Sequence, residues 1–273
     1  MKTNQNKNLF ISAFRDFEKL ARGDDKLFVH IETIALLGSA ATKEEIFGWS
    51  DLDILLIVDS DRFGNIVPLV IKSLKDIARK LFIKYGIQIS IAPHTRNDLV
   101  NYVSFEYLMN YSFGRVVYTR GLNLQNFIKE ILRNRKLNSN TKKRYCLYHL
   151  RHIRFNLIRK YISTNSYSSD AWTRETSRLL IDGALEASAW ALNFFDIWPK
   201  TKKSILRYVD SEFGKRLDTQ PLHLALKLRA KGTKNTKKDL SVFMRMGLKY
   251  LSDLLELIIS EYNYPTPEEK MRQ

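Results

Sequence analysis

The stretch "LLGSAATKEEIFGWSDLDILLIVD", residues 36–59, decides how this 273-residue chain is read. It closes on an apolar run, Ile54 to Val58, with the β-branched content of a buried strand. Two aspartates, Asp51 and Asp53, stand at the mouth of that run, and a Gly38-Ser39 pair lies just upstream. In a strand, residues i and i+2 point to the same face, so the two carboxylates project together. Like charges held that close repel and are costly to desolvate, which predicts positive charge between them. One or two hard divalent cations answer that demand, because magnesium prefers oxygen ligands and shares them with the phosphates of a substrate. Gly38 has no side chain to keep a phosphate from the backbone, and Ser39 offers a hydroxyl and an N–H to the same group. The pattern points to a triphosphate at the strand ends with metal bridging its oxygens.

Outward from this stretch the pattern is mixed, then helical. Residues 8–22 read as a helix closed by Gly23, and strands are expected at 33–38 and 53–58. Residues 66–86 read as a helix with Val70, Leu74, Ile77 and Leu81 on one face and Gly86 at its end. A strand at 87–92, one helix through 97–112 and a last strand at 115–119 complete an α+β unit, a small mixed sheet with helices, expected over residues 1–122. Beyond Gly121 the chain predicts helices only, at 141–162, 171–195, 200–214, from Pro221, and at 239–262. That is an all-α helical bundle over 123–273. "STNSYSSD" (163–170) reads as a linker whose Asp170 caps the next helix, "KGTKNTKK" (231–238) as a basic loop, and residues 265–273 as a frayed tail.

The chain has one cysteine, Cys146, which excludes an intrachain disulfide and a Cys-rich zinc framework and fits a reducing, cytoplasmic setting. Its N-terminal pattern is neither a signal peptide nor a membrane anchor, and no apolar run approaches the roughly 20 residues of a membrane helix. The formal net charge is +16. Residues 1–120 hold 16 Lys+Arg and 14 Asp+Glu, whereas residues 121–273 hold 29 and 15, so the excess is confined to the helical part. Such asymmetry predicts a polyanionic partner, most simply nucleic acid, against the alternative of a Lys-rich solvated surface.

The combination of Gly38-Ser39, a loop, and Ser50-Asp51-Leu52-Asp53 entering an apolar strand resembles the nucleotidyltransferases of the polymerase-β type. The resemblance covers residues 33–120, down to "GRVVYTRG" (114–121), which is similar to the end of that catalytic domain. The helical remainder is similar in layout to the bundle that follows the catalytic domain in antibiotic adenylyltransferases, as is the Pro-Lys segment in "ALNFFDIWPKTKKSIL" (191–206). The resemblance implies transfer of a nucleoside monophosphate from an NTP to a hydroxyl, with release of pyrophosphate. It implies two magnesium ions at Asp51 and Asp53, and nucleotide binding at Gly38, Ser39 and Ser50. The family also supplies a third carboxylate from the next strand. Here the position aligned to it is Gln88, with Ser90 the other candidate; an amide oxygen can ligate a cation but cannot serve as a base. Asp182 and Glu186, at i and i+4 near Glu175 and Arg178, are candidate substitute bases, or ordinary ion-pair partners.

Helix 141–162 carries Lys142, Lys143, Arg144, Arg151 and Arg154, then Arg159 and Lys160, interleaved with Tyr145, Tyr148, Phe155 and Tyr161. The basic residues suit phosphate contact, and the aromatic ones are assigned to the core rather than to base stacking. Arg144 to His149 spells R-x4-H, which resembles the RNase motif of HEPN-type bundles but lacks its usual polar residue after the arginine. His149 and His152 have zinc spacing without an evident third ligand, and His94 is read as ending a strand. The leading expectation is an enzyme acting on a nucleic acid such as tRNA. The alternatives are an aminoglycoside-type antibiotic adenylyltransferase, disfavoured because a cationic drug prefers an acidic cleft, and an antitoxin-like, catalytically impaired binding protein.

Overall fold

Six of the seven residues of β2 (Leu52–Val58) are buried, because the strand lies inside a four-stranded sheet. The sheet also holds β1 (Ile31–Leu36), β3 (Ile89–His94) and β4 (Arg115–Thr119), in the order β3-β2-β1-β4. β1 runs antiparallel to both β2 and β4, and β3 is parallel to β2. A parallel neighbour requires a crossover, which α4 (Pro68–Tyr85) supplies. The computed structural model describes residues 2–59, 68–135, 139–165 and 174–262, and the chain divides into two units, Met1–Lys136 and Leu137–Gln273.

In the first unit the side-chain alternation of β2 separates two cores. Ile54, Leu56 and Val58 join Phe10, Phe14 and Phe17 of α1 (Lys2–Gly23) and Val70, Leu74, Ile77 and Leu81 of α4. The α4 quartet is the one its 3.6-residue period predicts, and Gly86, at φ +64°, ends that helix in the left-handed region. Leu55 and Ile57 face the other way. They cluster with Ala35 and with residues of α5 (Arg96–Asn101), α6 (Phe105–Ser112) and α7 (Leu124–Asn134).

Several boundaries differ from expectation for identifiable reasons. The single helix expected over 97–112 is two. Thr95 opens α5 with a reciprocal capping box to Asp98, and the Arg135 guanidinium closes it by donating to the carbonyls of Leu99, Val100 and Val103. Ser104 then opens α6. α1 begins at Lys2 rather than near residue 8, and the short helices α2 (Asp25–Phe28, capped by Asp24) and α3 (Gly38–Thr42) are additional. The first unit reaches Lys136 instead of ending at 122, because Leu122, Leu124, Ile128 and Ile131 are buried in the same cluster as the sheet.

The second unit is helical throughout its described residues: α8 (Ser139–Asn165), α9 (Arg174–Phe194), α10 (Lys202–Phe213), α11 (Gln220–Lys231) and α12 (Lys237–Tyr262). The basic 231–238 segment holds a 3-10 turn and the start of α12. α9 packs on each of the other four helices. Gly183 allows its close approach to α8, since a Cβ there would lie 3.2 Å from Leu157. The Ser188 and Tyr250 hydroxyls, 2.6 Å apart, tie α9 to α12 inside the core, where burial pushes the Tyr250 phenol pKa up. Asp170 and the tail at 265–273 lie outside the described residues. Among those described, no helix is long and apolar enough to cross a membrane.

Asp16 joins α1 to α4 by accepting from Lys84 Nζ at 2.5 Å and from the Tyr85 hydroxyl at 2.7 Å. Those donors, Lys84 foremost, hold its carboxyl below the usual carboxylate range. A depressed carboxylate stabilises the fold above the unfolded pKa of about 3.9 and loses that contribution as pH falls through the lower folded value. Asp16→Asn is therefore expected to lower the urea midpoint at neutral pH, with the gap to the parent closing as the pH approaches about 2. A gap that stays constant across a pH series of urea titrations would exclude this role.

Candidate active site

Asp51 and Asp53 are delivered by a loop that the chain closes on itself. The amides of Trp49 and Ser50 donate to the Ile46 carbonyl at 2.9 and 2.8 Å, and the Ser50 hydroxyl accepts from the Ile46 amide at 3.0 Å. Trp49, 1% exposed, pins this ring into the interior, and Gly48 at φ +77° makes its turn. Ser50, expected to touch nucleotide, is itself buried, with its hydroxyl on the Ile46 amide.

The other side of the site is the turn from β1 into α3. Gly38 has φ +60° and is exposed, and a Cβ built on it would lie 2.5 Å from Asp53 Oδ2. The backbone conformation favours glycine, and a side chain there would push the end of the Asp53 side chain aside. The Leu37 amide donates to the Asp53 carbonyl at 2.9 Å, so main chain and side chain of Asp53 both meet this turn. Leu37, the residue before α3, makes no side-chain cap, and the helix closes when Lys43, at φ 62°, donates its amide to the Ser39 carbonyl.

The strand register settles which residues flank the carboxylates. Asp53 pairs with Ser90 across β2 and β3, and the Leu52 amide donates to the Gln88 carbonyl at 2.8 Å. Paired residues of a parallel ladder share a face, and the strands lie about 4.8 Å apart. Ser90 therefore stands abreast of Asp53, and Gln88 one same-face step earlier, abreast of Asp51. Both are exposed, and β3 contains no acid. At its far end His94 Nε2 lies 3.0 Å from the Tyr111 hydroxyl, and burial lowers the imidazole pKa. Among the described residues no group of three or more His, Cys, Asp or Glu is placed to hold a metal.

The helical candidates separate as sharply. Asp182 Oδ1 accepts from the buried Arg229 Nε at 3.1 Å, an ion pair within the second unit that commits this carboxylate to structure. Glu186 is exposed, yet desolvation raises its carboxyl pKa, opposed by a hydrogen bond with Trp190. The side chains of Glu175 and Arg178 lie outside the described residues.

Of the basic residues on α8, Lys142 is half-buried and ion-paired with the exposed Asp196. Lys143 lies over the Phe194 ring at 5.1 Å, and Arg154 donates Nε to Ser252 Oγ at 3.1 Å. Arg144 and Arg151 are exposed. The R-x4-H pair is not brought together. Arg144 donates to the Tyr262 hydroxyl of α12, while His149 stacks on Trp190 of α9 with centroids 4.3 Å apart. His152 meets the Asn156 amide at 2.9 Å rather than a metal-ligand partner. The assignment of the aromatics to the core also fails at two positions, because Tyr148 and Phe155 are each 61% exposed. A sequence signal for this exists: Tyr148, Phe155 and Ile162 recur every seven residues opposite the buried Leu147, Leu150 and Leu157.

Comparison with models of known protein families and with curated proteins finds no match. The class the coordinates define is a mixed four-stranded α+β unit followed by a helical unit.

Gly38→Ala is expected to cost about 2–3 kcal/mol, from left-handed strain plus displacement of Asp53. In an Asp53→Ala background the same change is expected to cost only about 1 kcal/mol, because the displaced carboxylate is gone. Chemical denaturation of the four proteins of this cycle measures the difference, and simple additivity would rule out the contact as its cause.

Proposed function

We propose that this chain is a magnesium-dependent nucleotidyltransferase that moves a nucleoside monophosphate from an NTP to a hydroxyl of a nucleic acid such as tRNA, releasing pyrophosphate. The observation that carries the reading is the contact between Gly38 and Asp53. A bare backbone turn held against a carboxylate, with Asp51 two residues earlier, suits a phosphate that arrives with its cation. Asp51 and Asp53 offer hard oxygen donors, and the Gln88 amide oxygen is a neutral third. Bound magnesium would neutralise the triphosphate and lower the pKa of the attacking hydroxyl. Gly38 and Ser39 hold the phosphate chain, the loop closed by Ser50 fixes Asp51, and Asp53 is braced by the turn at Leu37. Catalysis in such a site is mostly positioning and electrostatics. The positive charge of residues 121–273 favours an anionic acceptor over a cationic drug.

One observation favours a second reading, an antitoxin-like binding protein built on the same fold: β3 brings Ser90, and the residue before it is Gln88, so no acid stands beside the carboxylate pair. One assay separates the readings: the full chain incubated with magnesium, each labelled NTP, and either total tRNA or aminoglycosides. Label on RNA that is lost in Asp53→Ala is the expected result, whereas label on the drug names the other acceptor. No transfer to either, with RNA binding intact in Asp53→Ala, selects the binding protein. If the enzyme reading holds, Ser90→Asp or Gln88→Glu is expected to raise the turnover rate, by up to about 100-fold for a restored base.

A further inference from the structure

We propose that the outward face of α8 is a track for single-stranded RNA, with Tyr148 and Phe155 as stacking platforms for bases and the arginines beside them as phosphate contacts. The inference rests on the reading of the acceptor as a nucleic acid and specifies which form of it the second unit holds. α8 buries Leu147, Leu150 and Leu157, and it packs on α9 and α12. Its remaining side carries two aromatic rings in water, each 61% exposed. Seven residues apart, they lie within about 20° of each other around the helix and about 10 Å apart along it. The Tyr148 ring is stacked on His152, centroids 5.9 Å apart and planes 18° from parallel, which presents its other face ready-ordered.

Charge decides the occupant. The 27 residues of α8 contain seven Lys and Arg and no Asp or Glu. Arg144, Arg151 and Arg159 are exposed on the same side as the two rings. A protein partner would select a patch with few charges at its centre. Rings alternating with cations along one line instead match a flexible polyanion whose bases are free to stack. In a duplex the base faces are already stacked on one another, so exposed rings would gain nothing from it.

The test is fluorescence anisotropy of the full chain with a short labelled oligoadenylate, single-stranded or annealed to its complement. The single strand is expected to bind more tightly. Tyr148→Ala and Phe155→Ala are each expected to weaken it by roughly 5- to 100-fold, with the circular dichroism spectrum unchanged, while Tyr148→Phe retains binding. Arg159→Ala is expected to reduce the slope of log affinity against log salt by about 0.7. Tyr102→Ala, which removes a ring 77% exposed in the first unit, serves as the control and is expected to change nothing. Equal or tighter duplex binding overturns the track, as do alanine variants that bind like the parent. Variants that lose only self-association, seen by sedimentation, also overturn it and assign the face to a second copy of the chain. Failure of the enzyme reading is distinct: an inactive parent that still binds the single strand through Tyr148 and Phe155 leaves the track standing.

Discussion

The first unit depends on the close approach of the Gly38 turn to Asp53. The turn that ends β1 against the start of β2 holds position 38 at φ +60°, which favours glycine, and a Cβ there would fall 2.5 Å from Asp53 Oδ2 and displace that carboxylate. From that point both ladders are fixed. The Leu37 amide donates to the Asp53 carbonyl on one side, and the Leu52 amide donates to the Gln88 carbonyl on the other. The start of β2 thus sets the pairing of β1 and of β3 together. A slip of one residue would turn Leu55 and Ile57 out of their core and carry Asp53 to the face packed by α1 and α4.

The same geometry explains how two carboxylates are tolerated beside a core. Asp53 is partly exposed, and every residue from Ile54 to Val58 after it is buried. The charge sits on the last step before the interior, where water still solvates it and the desolvation cost of a fully buried carboxylate does not arise. The loop from Lys43 to Ser50 spends its one large apolar residue buried to this depth, Trp49, as an anchor. The hydrogen bonds around Ile46 then close the turn that leads through Asp51 into β2.

The part of the structure that could be read in advance tracks the range of the interactions that make it. The α4 quartet, the strand at Arg115–Thr119 and the Gly86 stop are local periodicities, and they are found where the sequence places them. The break between α5 and α6 was legible in principle from Ser104, which caps α6, but Arg135, which closes α5, comes from 32 or more residues downstream. The pairing of Lys142 with Asp196 and the capture of Asp182 by Arg229 are contacts between distant segments. Charge counting treats such residues as surface. At the candidate site the pair of aspartates and the Gly-Ser turn were legible, whereas the standing of Ser90 abreast of Asp53 is a property of register and needed the paired strands.

On the proposed function, the amide of Gln88, just before β3, and the hydroxyl of Ser90 on it, in place of an acid, have an electrostatic consequence that differs for binding and for turnover. A third carboxylate beside Asp51 and Asp53 would repel the first two and an incoming triphosphate, and only cations would offset that repulsion. With Gln88 and Ser90 there instead, the cluster carries less negative charge, so an anionic nucleotide meets less opposition. The same change removes the proton acceptor that β3 would have contributed, and neither an amide nor a hydroxyl replaces it near neutral pH. On the proposed reading, nucleotide affinity and acceptor deprotonation would be separate demands on this site. Under the proposed function, Asp51, Asp53 and Gly38 would serve the first, and the second would depend on how far bound cations alone lower the pKa of the attacking hydroxyl.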